Sequence, residues 1–224
     1  MKGARQGMRA IEIFQLRCKL TLACIAALWC ASAASAQQAS RIVDTQPSQK
    51  LDRSIVFVCD ATATMVPKFM ALKLQLSKAI NDLGPLQRFD VIFFNDDRAS
   101  SFSSWLKRPG TLPLAVPATK SRFNEFFAQI VPRHSGSPIA AVELAIKEQP
   151  DVIYLLSDGE FEDADAGVKH IRELNPDHKI RINTIAFINN DEIRHHVDVT
   201  FKKILKQIAD ENGGTFKDVN PDDL

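Results

Sequence analysis

The chain has 224 residues, of which 45% are hydrophobic, and a formal net charge of +1 at pH 7. This length favours one domain of the size usual for α/β proteins, or at most two small domains, and the apolar side chains suffice for a buried core. A net charge so close to zero does not by itself argue for or against a nucleic-acid partner, although proteins that bind nucleic acids usually carry a basic excess.

The first 36 residues have the composition of an export signal. A basic leader precedes an apolar run at 20–34, which ends in Ala34-Ser35-Ala36. Such a segment is typical of a secretory signal peptide, so we expect cleavage after Ala36 and a secreted or periplasmic protein. An uncleaved N-terminal membrane anchor is the alternative, although the apolar run is shorter than the about 20 residues of a membrane span.

Removal of residues 1–36 changes the charge and the cysteine content. Five of the 28 Lys and Arg and one of the 27 Asp and Glu lie there, so the mature chain has 23 basic and 26 acidic residues and a net charge of −3. We therefore predict no nucleic-acid partner, and no membrane span in the mature chain. Cys59 is the one cysteine that remains, and its place in an apolar run predicts a buried side chain without catalytic function.

Beyond a polar linker at 37–53, strand and helix patterns alternate. Apolar runs predict strands at 55–59, 89–94, 152–156, 180–188 and 215–217, with a short edge strand at 99–102. Apolar side chains at helical spacing predict helices at 67–83, 119–130, 138–149, 165–174 and around 201–208. We expect Thr119 to cap the second of these helices and 103–118 to be irregular.

This alternation predicts an α/β fold. The fold class is a doubly wound, mostly parallel sheet with helices on both faces and one short antiparallel edge strand. We place the domain at 54–219 and interpret 220–224 as a C-terminal tail.

The run 55–59 delivers three oxygen-bearing side chains to the end of a predicted buried strand. They are Asp60, Thr62 and Thr64. In open α/β sheets, ligands bind beyond the carboxyl ends of the strands. A carboxylate and two hydroxyls are hard oxygen donors, which suit Mg²⁺, Mn²⁺ or Ca²⁺.

A second predicted core strand ends in a similar way, in Ser157-Asp158-Gly159. Together with Asp60-x-Thr62-x-Thr64, this pattern resembles the von Willebrand factor A (vWA) domain and its metal-ion-dependent adhesion site (MIDAS). The resemblance covers Ser54 to about Val219 and implies a Rossmann-like fold.

The resemblance also implies a ligand set for one divalent ion. Thr62 and Thr64 would give hydroxyls, and Asp60 and Asp158 carboxylates, at least one of them through water. The family takes a further hydroxyl from a middle loop, and here Ser137 is the candidate, with Ser135 as the alternative. The ion is expected to be Mg²⁺ (or Mn²⁺ or Ca²⁺), and the open coordination position would accept an Asp or Glu carboxylate of a partner protein.

Two other functions remain open. In the first, the protein is a metal-assisted hydrolase with Asp60 as nucleophile, but the flanking motifs offer no His or Lys suited to move a proton. In the second, the domain is structural and its metal site is vestigial. The pair His195-His196 lies in a polar stretch and is interpreted as a solvated turn. The binding module, which is not an enzyme, is our prediction.

Overall fold

The strands predicted from the apolar runs form one six-stranded sheet. The structure is a computed structural model, and it describes residues 53–95, 98–161 and 163–224. The predicted signal peptide and nearly all of the linker lie outside these residues. The strands are β1 (Ser54–Asp60), β2 (Arg88–Asn95), β3 (Arg98–Ser101), β4 (Val152–Ser157), β5 (Arg181–Phe187) and β6 (Phe216–Val219).

The sheet has the order β3-β2-β1-β4-β5-β6. All neighbouring strands pair in parallel except β3, which runs antiparallel to β2 at the edge. The strand order reverses between β1 and β4, the position at which α/β sheets commonly bind ligands. The predicted fold class is therefore confirmed.

Helices cover both faces of the sheet. They are α1 (Phe69–Asp82), α2 (Phe102–Trp105), α3 (Pro117–Phe127), α4 (Ile139–Lys147), α5 (Ala164–Leu174), α6 (Asn190–Arg194) and α7 (Asp198–Glu211). On one face, buried side chains of α4, α5 and α7 pack against β1, β2, β4 and β5. On the other face, phenylalanines of α1, α3 and β2 pack with ring centroids 5.2–6.5 Å apart.

Several boundaries differ from the sequence predictions. The helix expected to be capped by Thr119 begins at Pro117 and ends at Phe127, and its N-cap is Val116. Proline fits the first helical position because its fixed φ is already helical and it has no N–H to satisfy. The segment predicted to be irregular contains most of α2.

The stretch around His195 is also more ordered than predicted. Asn190–Arg194 is a short helix, α6, and His195 and His196 follow it as exposed residues. The predicted tail contains a 3₁₀ helix, Pro221–Asp223, and the Asn190 N–H donates to the Asp222 carboxylate at 2.9 Å. Among the described residues, none of the helices is both long and apolar enough to span a membrane.

Candidate metal site

The first loop of the site begins where β1 ends, at the buried carboxylate of Asp60. Asp60 Oδ1 accepts hydrogen bonds from the Thr62 N–H (2.9 Å) and the Thr62 hydroxyl (2.6 Å). The Thr62 hydroxyl oxygen lies 3.0 Å from that of Thr64, which belongs to the 3₁₀ helix Ala63–Met65. Thr62 is buried, Thr64 is half-buried and Ala63 is exposed, so the two hydroxyls lie between the core and solvent.

The second loop follows β4, which pairs directly with β1. The Ser157 hydroxyl donates to Asp60 Oδ2 at 2.5 Å and accepts the Gly159 N–H at 3.0 Å. Asp158 is fully buried, and its Oδ1 accepts the Glu160 N–H at 3.1 Å. Ser157, which the sequence analysis did not single out, therefore joins the two loops that carry Asp60 and Asp158.

Gly159 is required by the turn after β4. Its φ is +86°, in a region of backbone conformation that residues other than glycine rarely adopt. A Cβ at this position would lie 2.8 Å from the Phe201 carbonyl oxygen on α7. The Asp158-Gly159 sequence is thus explained by close backbone packing, and the turn fixes the position of the Asp158 side chain.

The middle loop touches the first loop through its backbone. The Ala63 N–H donates to the His134 carbonyl at 2.7 Å, and the Arg133 N–H donates to the Ala61 carbonyl at 2.9 Å. The Ser137 hydroxyl accepts the Ile139 N–H at 3.4 Å, at the start of α4. Within the described part of the chain, it makes no hydrogen bond to Asp60, Thr62, Thr64 or Asp158. Ser137 as an ion ligand therefore remains a prediction.

The electrostatics of the site favour a cation. Burial, and then the charge of Asp158, raises the pKa of Asp60 to about 7, although hydrogen bonds from Ser157 and Thr62 lower it. The neighbouring Cys59 thiol also has a raised pKa, first because of its burial and then because of Asp60. The burial that the apolar run predicts for Cys59 is confirmed.

Lys68 is the main feature of the site that the sequence analysis missed. Its side chain is only 2% exposed, and its Nζ donates to Asp158 Oδ2 at 2.9 Å and to Glu192 Oε1 at 2.5 Å. The sequence analysis predicted no His or Lys suited to move a proton near the pocket, and it did not anticipate this buried lysine. Both oxygens of Asp60 accept hydrogen bonds, from Thr62 and Ser157, and Lys68 is paired with two carboxylates.

Glu192 belongs to α6 and fixes the start of that helix. Its backbone N–H donates to Asn189 Oδ1, and its Oε2 accepts the Asn189 N–H, which forms a capping box. The pattern Asn189-x-x-Glu192 is the sequence signal that would have predicted α6. No comparable signal marks Lys68, because its partners lie 90 and 124 residues away.

The residues present fit a hard divalent ion in donor type and in charge. Three carboxylates, from Asp60, Asp158 and Glu192, and the ammonium of Lys68 have a formal charge of −2 when all are ionised. The described residues contain no cluster of three or more His, Cys, Asp or Glu side chains able to hold an ion. Hydroxyls and water would therefore complete the coordination, which is usual for Mg²⁺.

The acidic residues after Asp158 have ordinary structural roles where they are described. Asp163 is the N-cap of α5, and its side chain accepts the Ala166 N–H at 3.4 Å. Asp165 lies in the first turn of the same helix, where a negative charge is favourable. Glu160 is exposed.

Comparisons with known proteins identify the fold through structure alone. No protein-family model matches the sequence, and no curated protein matches it at a significant level. A von Willebrand factor type A structure from Catenulispora acidiphila matches with a TM-score of 0.60 and 18% identity, over 76% of this chain and 39% of that chain. The SpRpn10 VWA domain matches with a TM-score of 0.50 and 13% identity, over 76% and 89% of the two chains.

A third similar structure is the open conformation of the pilus adhesin SpaC from Lactobacillus rhamnosus GG. Its TM-score is 0.54 at 12% identity, over 78% of this chain and 29% of that chain. This chain thus spans well under two thirds of the Catenulispora and SpaC structures. At such low identities the similarity establishes the fold alone: the described part of this chain has the von Willebrand factor A fold.

Proposed function

We propose that this protein is a binding module that holds a partner protein through a divalent ion, with Mg²⁺ as the expected ion and Mn²⁺ or Ca²⁺ as substitutes. The observation that carries this proposal is the meeting of Asp60, Thr62, Thr64 and Asp158 at the carboxyl ends of two adjacent strands, with a net negative charge. The fold supports it, since two of the similar structures are an adhesin and a domain of SpRpn10.

A carboxylate of the partner is the expected occupant of the open coordination position. Asp60, Thr62, Thr64 and Asp158 supply at most four side-chain ligands, whereas Mg²⁺ takes six in octahedral geometry. Water or an incoming ligand must fill the remainder. An Asp or Glu side chain provides a hard oxygen and a charge that offsets that of the ion.

An apolar surface beside the site supports a protein partner. Val66, Met70 and Leu74 recur every four residues, from the first loop along α1, and are 59%, 74% and 60% exposed. Exposed apolar side chains that lie together commonly mark protein contacts. The partner we expect therefore presents a carboxylate with apolar residues next to it.

Isothermal titration with Mg²⁺ tests the ion. We expect saturable binding to the natural protein, and a higher melting temperature in Mg²⁺ than in EDTA, because an ion that binds only the folded state stabilises it. Asp60→Ala should abolish both effects. Asp177→Ala, which removes an exposed carboxylate paired with Lys179, is the matched control and should change neither. Identical melting of the natural protein in Mg²⁺ and EDTA would favour the vestigial site.

A displayed library of random peptides tests the ligand class. Peptides selected in Mg²⁺ should share an Asp or Glu next to apolar residues, and they should be released by EDTA. Replacement of that acidic residue by Asn or Gln should abolish binding. Selection of peptides that lack an acidic residue, or that remain bound in EDTA, would contradict binding of a partner carboxylate to the ion.

Export is the second part of the proposal. The basic leader, the apolar run and Ala34-Ser35-Ala36 support cleavage after Ala36 and a secreted or periplasmic location, with a retained N-terminal anchor as the alternative. Mass spectrometry of the protein from its native cells should find Gln37 as the first residue. An intact N-terminus in a cytoplasmic fraction would exclude export.

A further inference from the structure

Lys68 is the most unusual charged residue that the structure describes. Lysine is almost never fully buried unless it is paired, and the Lys68 side chain is only 2% exposed. Its ammonium contacts Asp158 after β4 and Glu192 in α6, while Lys68 itself immediately precedes α1. One side chain thus connects three segments around the candidate metal site.

Stability alone is a weak explanation for this arrangement. The cost of removing charged groups from water largely offsets their mutual attraction, and apolar replacements of buried ion pairs are often neutral or stabilising. The effect of the Lys68 ammonium on the candidate metal site is therefore a better explanation for its burial than stability.

The ammonium of Lys68 forms an ion pair with Asp158, which is a candidate ligand of the ion. Lys68 Nζ is 2.9 Å from Asp158 Oδ2, and Oδ1 of the same carboxylate accepts the Glu160 N–H. An ion bound through Asp158 would share that carboxylate with a positive charge. Repulsion between two cations is strong where water is excluded, because the effective dielectric constant is lower there than in water.

We propose that Lys68 is an internal cation that neutralises Asp158 and Glu192 when no ion is bound, and that it lowers the affinity of the site for divalent ions by charge repulsion. This inference rests on the proposed function, because it concerns the same site. The ion would then be exchangeable: the pocket keeps its structure when the ion leaves, and partner binding follows the ion concentration of the surroundings.

Glu192 extends the effect of Lys68 to α6. Its Oε1 contacts Lys68 Nζ, and its Oε2 closes the capping box of α6 with the Asn189 N–H. Removal of the ammonium would leave two poorly solvated carboxylates without a positive partner, and a bound divalent ion would supply the missing charge.

Isothermal titration with Mg²⁺ and melting in EDTA test this inference on the natural protein and Lys68→Gln. We expect Lys68→Gln to melt at a lower temperature in EDTA but to bind Mg²⁺ at least tenfold more tightly, with a correspondingly larger shift in melting temperature. Lys202→Gln is the matched control. Lys202 also bridges two carboxylates, Asp198 and Asp218, but outside the site, and its replacement should leave the Mg²⁺ affinity unchanged.

The outcomes separate this inference from the proposed function. If the natural protein binds Mg²⁺ and Lys68→Gln binds it no more tightly, the role of Lys68 is overturned while the metal site stands. If only Lys68→Gln binds Mg²⁺, the repulsion is supported and metal dependence of the natural protein is overturned. If neither binds it, both proposals fail.

A second variant keeps the inference testable if Lys68→Gln does not fold. Recovery of folded Lys68→Gln only in Mg²⁺ would itself support the inference. If it folds in neither condition, Glu192→Gln provides the test, because the ammonium then keeps a single carboxylate partner and repels the ion more strongly. We expect Mg²⁺ to bind Glu192→Gln several-fold more weakly, and an unchanged affinity would overturn the inference.

Discussion

Carboxyl groups are buried near both ends of the sheet, and their surroundings differ. Near the carboxyl ends of the strands, Asp60 and Asp158 are surrounded by hydroxyls, an exposed loop and the ammonium of Lys68. Near the amino end of β2, Asp90 lies close to Glu148, which follows α4. Burial is the largest cause of the raised pKa of both Asp60 and Asp90.

Asp90 and Glu148, near the amino end of β2, are called the lower pair, and the protein supplies most of the hydrogen bonds of Asp90. Asp90 accepts hydrogen bonds from the Ser101 hydroxyl (2.7 Å) and from the N–H groups of Val91 and Ser103 (both 2.8 Å). Burial, and then Asp90, raises the pKa of Glu148 to about 8. Glu148 Oε2 is the one buried side-chain oxygen or nitrogen without a hydrogen-bond partner among the described residues. We therefore predict a proton on Glu148 that is shared with Asp90.

The comparison separates a structural pair of buried carboxyl groups from the proposed ion site. In the lower pair, burial raises the pKa of both carboxyl groups, which favours a neutral Glu148, and Ser101 and backbone N–H groups donate hydrogen bonds to Asp90. The upper site, at the carboxyl ends of β1 and β4, combines two fully buried aspartates with a buried lysine and with the half-buried side chain of Thr64. We therefore expect mutations of the lower pair to change stability irrespective of Mg²⁺, and mutations of the upper site to change the response to Mg²⁺.

Removal of the Asp90 carboxylate should have the largest effect on stability. Asp90→Ala leaves the Ser101 hydroxyl and two backbone N–H groups without their buried acceptor, so we expect the free energy of unfolding to fall by about 3 kcal/mol. Urea denaturation in Mg²⁺ and in EDTA should show the same loss. A loss of stability that appears only in Mg²⁺ or only in EDTA would contradict the expectation that Asp90 acts independently of the metal site.

Replacement of Gly159 should have the next largest effect, at the upper end. Gly159→Ala places a Cβ against the Phe201 carbonyl and strains the backbone, for an expected loss of about 2 kcal/mol in the free energy of unfolding. Gly110→Ala is the matched control, since Gly110 also has a positive φ of +70° but no atom within 4 Å of its Cβ position. We expect that control to lose about 1 kcal/mol. Equal losses would show that the contact with Phe201 does not matter.

The pH dependence of stability tests whether the lower pair holds a proton. The pKa of Glu148 is about 8 in the folded protein, above its ordinary value of 4.5, so the folded state binds this proton more tightly than the unfolded state. The resulting stability is fully present below pH 4.5 and is lost as the pH rises towards 8.

Glu148→Gln isolates this contribution. The amide keeps a hydrogen-bond donor for Asp90 but cannot titrate, so the decline in the free energy of unfolding with pH should become shallower. The change in slope should be smaller than the about 1.4 kcal/mol per pH unit that one fully linked proton gives. Asp60, whose pKa is about 7, contributes to the decline in both proteins and cancels in the comparison. Parallel pH curves would exclude the shared proton.

Most of the fold was predictable because its strongest signals are local. The apolar runs of β1 and β4 predicted two central strands to within one or two residues, and both oxygen-bearing loops follow them directly. The helix α3 begins at Pro117, two residues before the predicted cap Thr119, because proline suits the first helical position. The five-residue α6 is too short for an apolar period, although its capping box was readable.

The site was predictable only where it follows the strand ends. Asp60, Thr62 and Thr64 are every second residue of one short stretch at the end of β1. Asp60 lies near the loop that carries Asp158 because β1 pairs with β4. The contacts of Lys68 depend on helices and loops packed at long sequence separation. No pattern in the vicinity of Lys68 in the sequence encodes those distances.

Anomalous diffraction from crystals of the natural protein soaked in Mn²⁺ tests the central claim most directly. We expect an anomalous peak within coordination distance of the Thr62 and Thr64 hydroxyls, with Asp60 and Asp158 bound directly or through water, and no peak beside Asp90 and Glu148. Lys68 should remain in contact with Asp158 or be displaced towards Glu192. Crystals that diffract well and show no Mn²⁺ at Thr62 and Thr64, at concentrations that saturate ordinary divalent-ion sites, would contradict the account.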